Sequence, residues 1–288
     1  MSSIIKFFSL VTVALFATAP SMMAAEGGHK LPLHAEPVLG PITNSMLMVW
    51  LATAVIVLFC RAAAGKISIV PVGFQNFAEW LIDGLYNFFG GLLGDHLIKK
   101  TFWFFGGTFL FILVNNWLGL IPGVGTLGET IRYEDGSEHF LPLLRGGNAD
   151  LNMTSAMSVV FMAVWTFWAI QENGIKGFVN HIFAPKGKFQ GVMLVGMVVV
   201  FFLVGILEII SIGIRPVALS FRLFGNIYGG EQTLEALMHL VPKWLAFLPA
   251  LPFYFMELLV GLIQALVFSL LAAIFLNLIC DHGEEEHH

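Results

Sequence analysis

The sequence predicts an all-α polytopic membrane protein with five spanning helices and one interfacial amphipathic helix. Three observations carry that expectation. The 288 residues are 57% hydrophobic and only 11% charged, with mean hydropathy +0.84, whereas soluble domains hold about 25% charged residues. No water-soluble fold of this length hides so much apolar surface. Five separate apolar stretches are long enough to cross the ~30 Å hydrocarbon core as helices. Aromatic residues reach 14%, with 28 Phe and 7 Trp, which suits helical spans with interfacial belts.

In chain order, residues 1–25 read as a signal peptide. Lys6 supplies a positive start and Phe7 to Ala17 an apolar stretch too short to span. Ala25 fits the cleavage position but Met23 stands where a small residue is wanted, so a retained interfacial N-terminus is the alternative. Residues 26–43 are a polar, Pro-containing outer linker. The membrane domain occupies 44–281, with spans from about Ser45 to Cys60, Thr101 to Leu120, Leu151 to Ile170, Gly191 to Leu240 and Leu248 to Cys280. Residues 282–288 form an inner polar tail. The last two stretches exceed one crossing, so they are long and tilted or bent. The Pro-rich segment between them, with Pro242, Pro249 and Pro252, pairs them as an antiparallel hairpin.

Val72 to Asp95 differs in kind. Phe77, Trp80, Leu81, Leu85 and Phe88 recur at helical spacing while Gln75, Asn76, Glu79, Asp83 and Asn87 fill the other faces. That pattern is an amphipathic helix at the interface; a poorly hydrophobic sixth span is the alternative. Basic residues set the orientation. Arg61, Lys66, Lys99, Lys100, Lys176, Lys186 and Lys188 fall on one side, and Lys30, Arg132, Arg145 and Lys243 on the other. The excess marks the inside, leaving the N-terminus outside and the C-terminus inside. The loop 121–150, with Glu129, Glu134, Asp135, Glu138 and Asp150, is then the long outward loop.

A net charge of −5 offers no basic face for nucleic acid. Cys60 and Cys280 supply neither a disulfide framework nor a metal site. His282, His287 and His288 read as a solvated tail. No metal and no cofactor is expected.

Charges inside apolar runs cost at least ~2.5–3.5 kcal/mol each at the bilayer centre and so point to function. Glu208, Arg215, Arg222, Asn226 and Glu231 punctuate the fourth stretch, with Glu257 and Gln264 in the fifth. Glu208, Ser211, Arg215 and Arg222 share one helical face. Glu208 and Arg215 can also pair with each other near a helix end. Arg222, between Phe221, Leu223 and Phe224, has no such local explanation. Folding the hairpin at its prolines brings Arg222 level with Gln264, and Glu231 level with Glu257. Two carboxylates in one low-dielectric site cannot both ionise cheaply, which is what a proton relay needs.

The run Pro216-Val-Ala-Leu-Ser-Phe-Arg222-Leu-Phe-Gly-Asn226-Ile-Tyr-Gly-Gly-Glu231 resembles the signature of subunit a of the F-type ATP synthase, the membrane stator and proton-channel subunit of that rotary motor. Asn116-Trp-Leu-Gly-Leu-Ile-Pro122 resembles the family's motif closing its second span. Ala149-Asp150-Leu151-Asn152-Met153-Thr154 resembles the motif opening its third. The likeness covers residues 40–281. It implies a non-catalytic subunit with two offset half-channels that load and unload a carboxylate on the rotating c-ring. The resemblance makes Arg222 the stator arginine that faces this carboxylate and prevents a proton short-circuit. It gives Asn226, Glu231, Glu257 and Gln264 to the outer half-channel, Glu208, Ser211 and Arg215 to the inner one, and Asn116, Asp150 and Asn152 to the outer access path.

Some family members carry His where Glu257 stands here, and Ala218 replaces a common Ser. The long acidic loop and the signal-like N-terminus are shared by only part of the family. The implied partners are the c-ring, the subunit b stalk and, through it, the F1 subunits, in an energy-transducing membrane such as the bacterial inner membrane. Two other classes compete. A proton- or sodium-coupled secondary transporter would usually show repeated halves, and none is found in the sequence. A membrane enzyme would offer intramembrane ligand pairs, yet only His239 lies in an apolar run.

Overall fold

The computed structural model describes residues 35–39, 41–65, 68–125, 127–132, 138–183 and 192–280. The expected signal segment 1–25 and the tail 282–288 lie outside the described residues. Five helices are long and apolar enough to cross a membrane: α1 (Asn44–Ala64), α2 (Phe74–Gly119), α3 (Leu151–Phe183), α4 (Val192–His239) and α5 (Phe247–Cys280). The protein is thus the all-α polytopic membrane protein that its composition indicates.

Two of these helices are broken, each at one glycine. Gly94 in α2 has φ 72°, ψ 166° and Gly174 in α3 has φ 68°, ψ 166°, a region essentially confined to glycine. The chain folds back at both. The Tyr86 and Phe102 rings stand 5.2 Å apart, although an unbroken helix would separate them by about 24 Å along its axis. Trp165 and Phe178 approach to 6.4 Å where about 20 Å would be expected. Residues 74–93 are therefore an arm distinct from the span that follows. On this arm Phe77, Trp80 and Phe88 are exposed while Ala78, Phe89 and Leu93 are buried. Its apolar stripe turns to its surroundings rather than into the bundle, an arrangement that suits a helix embedded at a membrane surface. The span itself begins directly after Gly94 rather than at Thr101, and α3 runs past Ile170 to include the short arm after Gly174.

Helices in lipid gain nothing by hiding apolar surface from one another, so close packing holds them together. α5 runs through the middle and buries Gly261, Ala265, Ser269, Ala272 and Ala273, small residues that let its neighbours approach. Between them Phe268 and Leu276 join Phe89, Phe105, Phe161, Trp165 and Leu223 in the core. Phe161 bridges the stacked Phe104 ring at 6.3 Å and Phe268 at 6.2 Å. At one end Lys100 Nζ pairs with Glu172 Oε1 at 2.8 Å, and Asn173 Nδ2 donates to the Ile279 carbonyl at 2.9 Å. That end ties α2, α3 and α5 beside both glycine breaks.

The opposite end carries the loops. The long loop is partly ordered by an antiparallel hairpin, β4 (Gly128–Arg132) with β5 (Glu138–Pro142), registered from Gly128–Pro142 to Arg132–Glu138. β3 (Pro122–Gly125) precedes it, and β1 (Pro37–Leu39) pairs with β2 (Ile42–Thr43) ahead of α1. These short strands were not expected from the sequence. They supply backbone partners in connections too long to leave their N–H and C=O groups unpaired.

The backbone at the two breaks yields a test. Nothing lies within 4 Å of a Cβ built on Gly94, Gly174 or Gly91, so any penalty at the first two is conformational. Gly94→Ala and Gly174→Ala are expected to destabilise the protein by about 1–3 kcal/mol each. Gly91→Ala, in regular helix, is expected to be neutral or to stabilise by up to ~1 kcal/mol. Denaturant unfolding in detergent micelles measures all three, and equal losses at Gly91 and Gly94 would contradict the assignment.

Candidate functional site

The loop end of the bundle is filled by residues 145–150, which run inward rather than out to solvent. Arg145, Asn148, Ala149 and Asp150 are all buried. Glycine makes this possible. A Cβ on Gly147 would stand 2.7 Å from both Asn115 Oδ1 and Val49, and one on Gly119 3.3 Å from the Gly146 backbone. Asn148 Nδ2 donates to Asn116 Oδ1 at 2.7 Å, and Asn116 Nδ2 to the Gly261 carbonyl at 2.9 Å. Trp117 Nε1 donates to the Leu258 carbonyl at 3.1 Å. The motif that ends α2 thus grips α5 with its first two side chains. Asp150 joins two helices: it accepts from Ser45 Oγ at 2.8 Å and from the Asn152 backbone N–H at 3.1 Å. The second bond caps α3.

α4 and α5 form the antiparallel hairpin. Asn226 Nδ2 donates to Gln264 Oε1 at 2.6 Å, which sets the register. Nearer the turn, the Glu257 carboxylate lies where a Cβ on Gly230 would be, next to Glu231. Glu257 is 4% exposed and Gln264 likewise. The pairing of Gln264 differs from the expected Arg222 level by one helical turn. The physical reason is that the buried Gln264 Oε1 accepts from Asn226, while the Arg222 guanidinium is exposed and makes no hydrogen bond among the described residues. Glu231 Oε2, Gln264 Nε2, Asn115 Oδ1 and Asn148 Oδ1 are buried without a protein partner. Such a cluster is where water binds in a protein interior.

The second polar group lies far along α4. Arg215 Nη2 donates to Glu208 Oε1 at 3.0 Å, and its guanidinium stands 4.4 Å from the Phe275 ring centroid and 6.0 Å from that of Trp165. Ser211 is exposed. Glu208 and Glu231 are separated by about 34 Å of helix. Between them comes Arg222, exposed and with no hydrogen bond or ion pair among the described residues. Exposed apolar side chains accompany it on α4, among them Ile214, Val217 and Phe221, and exposed Asn226 stands one turn further on.

The structure therefore brings together Asn116 with its loop, Asn226 with Gln264, Glu231 with Glu257, and Glu208 with Arg215. It does not bring Asn152 into the buried cluster; that side chain is exposed, and only its backbone meets Asp150. Sequence reasoning missed Ser45 and Asn148, and it missed the hydroxyl bridge from Ser220 to Thr154 and Ser155 at 3.2 and 3.0 Å. Asn148 stands directly before the Ala-Asp motif, a signal that could have drawn it in. Ser220 lies two residues before Arg222 on the helix already singled out.

The hairpin register yields a cross-linking test. Cysteines replacing Glu231 and Glu257 are expected to be joined by a short bifunctional thiol reagent, whereas cysteines at 222 and 257 are not. The reverse pattern on electrophoresis would overturn the register.

Comparison with known proteins places the chain in a family. The family model described as ATP synthase A chain matches residues 46–277. The chain is 31% identical over 242 residues to the ATP synthase subunit a of Solidesulfovibrio magneticus, covering 84% of this chain and 86% of the relative. It is 32% identical over 234 residues to ATP synthase subunit a 1 of Pelobacter propionicus, covering 81% and 86%. With the subunit a of Gloeobacter violaceus the identity is 28% over 280 residues, covering 96% and 99%. A family match across all five helices, with relatives similar along nearly their whole length, shows that this chain belongs to the ATP synthase A chain family.

Proposed function

We propose that the chain is the proton-translocating stator subunit of an F-type ATP synthase, with two half-channels that meet opposite sides of Arg222. The observation that carries this reading is an exposed guanidinium amid apolar side chains, with one polar cluster on either side of it along α4. A cation on an apolar membrane surface needs an anion from outside the chain. A carboxylate on a rotating c-ring supplies it.

The chemistry follows from the cost of charge in lipid. The ring carboxylate turns into lipid only when it is neutral. The Asn226, Gln264, Glu231 and Glu257 cluster, wetted through the buried loop, delivers protons from outside. The Glu208, Ser211 and Arg215 stretch opens to the inside. Arg222 stands between as a cation that cannot carry a proton. It attracts the unloaded carboxylate and blocks direct passage. Each proton moved through 100 mV releases about 2.3 kcal/mol, which biases rotation. The subunit is non-catalytic by itself and works with the c-ring, the subunit b stalk and F1. It lies in a bacterial inner membrane with its N-terminus outside and C-terminus inside, an orientation supported by the basic residues near both glycine breaks.

Arg222→Ala is expected to leave the complex assembled, to lower ATP synthesis by about a hundredfold or more, and to raise passive proton flux. Arg222→Lys rescues little, because a desolvated ammonium can shed its proton. Both quantities are read in the same vesicles. Synthesis by Arg222→Ala at a rate comparable to wild type would overturn the reading and favour a secondary transporter.

A further inference from the structure

The loop that fills the carboxylate end holds a cation for which the proton relay above has no use. Arg145 is 3% exposed, the one fully buried basic side chain among the described residues. Burying a guanidinium is strongly unfavourable unless anions compensate it. The compensation is at hand. The charged groups that act on the Glu231 carboxylate are Arg145 from the loop, Glu257 from α5 and Glu235 one turn further along α4 itself. The loop backbone also abuts this carboxylate: a Cβ on Gly146 would stand 3.3 Å from Glu231 Oε1. Glu231 thus meets one cation and two carboxyl groups, with the loop backbone next to Arg145 against it.

The position of this cation is built rather than incidental. Its loop is fastened on both sides, by Asn44 Nδ2 to the Pro142 carbonyl at 3.2 Å and by Asn148 Nδ2 to Asn116 Oδ1 at 2.7 Å. Gly147 then passes too close to α1 and α2 for a side chain to fit without a shift, and Gly146 lies against Gly119 of α2 and Glu231 of α4. The arginine is therefore delivered to the carboxylates by a segment with little freedom to withdraw.

Resting on the stator reading, we propose that Arg145 is a positioning residue of the outer proton path, its guanidinium holding Glu231 over Glu257 as the acceptor of incoming protons. The guanidinium itself neither gains nor loses a proton in this role. A proton from outside water binds the Glu231 carboxylate and moves on through Glu257 toward the Asn226–Gln264 pair. The residue acts by charge and by place: it balances the carboxyl cluster while the site is unloaded, and it keeps the acceptor oriented.

The test uses the whole ATP synthase reconstituted in liposomes. ATP synthesis is measured as the outside pH is varied with the inside pH held constant. Loss of a nearby cation makes a proton easier to bind. Arg145→Gln is therefore expected to move the midpoint of the outside-pH profile by about one unit or more to alkaline pH, a tenfold change in proton activity. Arg145→Lys, which keeps the charge, is expected to retain the wild-type midpoint. A common midpoint for all three proteins, whatever their rates, would reduce Arg145 to packing and overturn the proposal. Should Arg145→Gln fail to assemble, the double variant with Glu235→Gln removes one acidic neighbour as well and carries the same readout; failure of both to assemble also overturns it. Arg222→Ala in the same vesicles separates the two levels. Retained synthesis there defeats the stator reading, whereas lost synthesis beside an unmoved Arg145→Gln profile defeats this inference alone.

Discussion

The hydrogen bond between Asn226 and Gln264, 2.6 Å long, fixes the register on which the rest of the arrangement depends. A polar side chain inside an apolar helix is tolerated only when another completes it. The bond by which Asn226 satisfies the buried Gln264 oxygen across α4 and α5 therefore determines which turns of the hairpin face one another. From that register Glu257 comes to rest on Gly230, beside Glu231, and Asn116 reaches the Gly261 carbonyl. Shifting α5 by one turn would take the Asn226 donor from the Gln264 oxygen and drive the Glu257 carboxylate into side chains larger than glycine.

Charge is distributed by the same economy. Glu208 and Arg215 neutralise each other, and Phe275 covers the guanidinium face, so that cluster is locally balanced. At the other end the acidic groups outnumber the buried cation, which leaves room for a proton. Arg222, between the two clusters, has no balancing anion among the described residues. The three situations lie in order along one helix, balanced, cationic and acidic. A single moving carboxylate, passing along that face, would meet a different electrostatic environment at each.

Much of this was legible in the sequence because expensive residues announce themselves. The five spans, the paired final helices, the Glu231–Glu257 neighbourhood and the Glu208–Arg215 ion pair all follow from charges and amides in apolar runs at helical spacing. The exact partner of Gln264 did not, because a hairpin register read from its turn is good only to about one helical turn, and the side chains settle the remainder. The two fold-backs were less legible still. Gly94 and Gly174 sit among thirty glycines, and only a backbone that adopts φ near 70° within a helix distinguishes them. Residues 145–150 misled for the opposite reason. A polar, Gly-containing loop reads as solvent-exposed, yet its two glycines are what allow it to be buried and to carry Arg145 inside.

On the proposed function, two water paths approach Arg222 from opposite sides and do not join. Side-specific thiol reactivity tests it most directly, in a protein whose Cys60 and Cys280 have been replaced by Ser. A cysteine at Asn226 should react with an impermeant reagent only when it is added outside, and a cysteine at Ser211 only when it is added inside. Reaction of either position from both sides, or of both positions from the same side, would contradict the account.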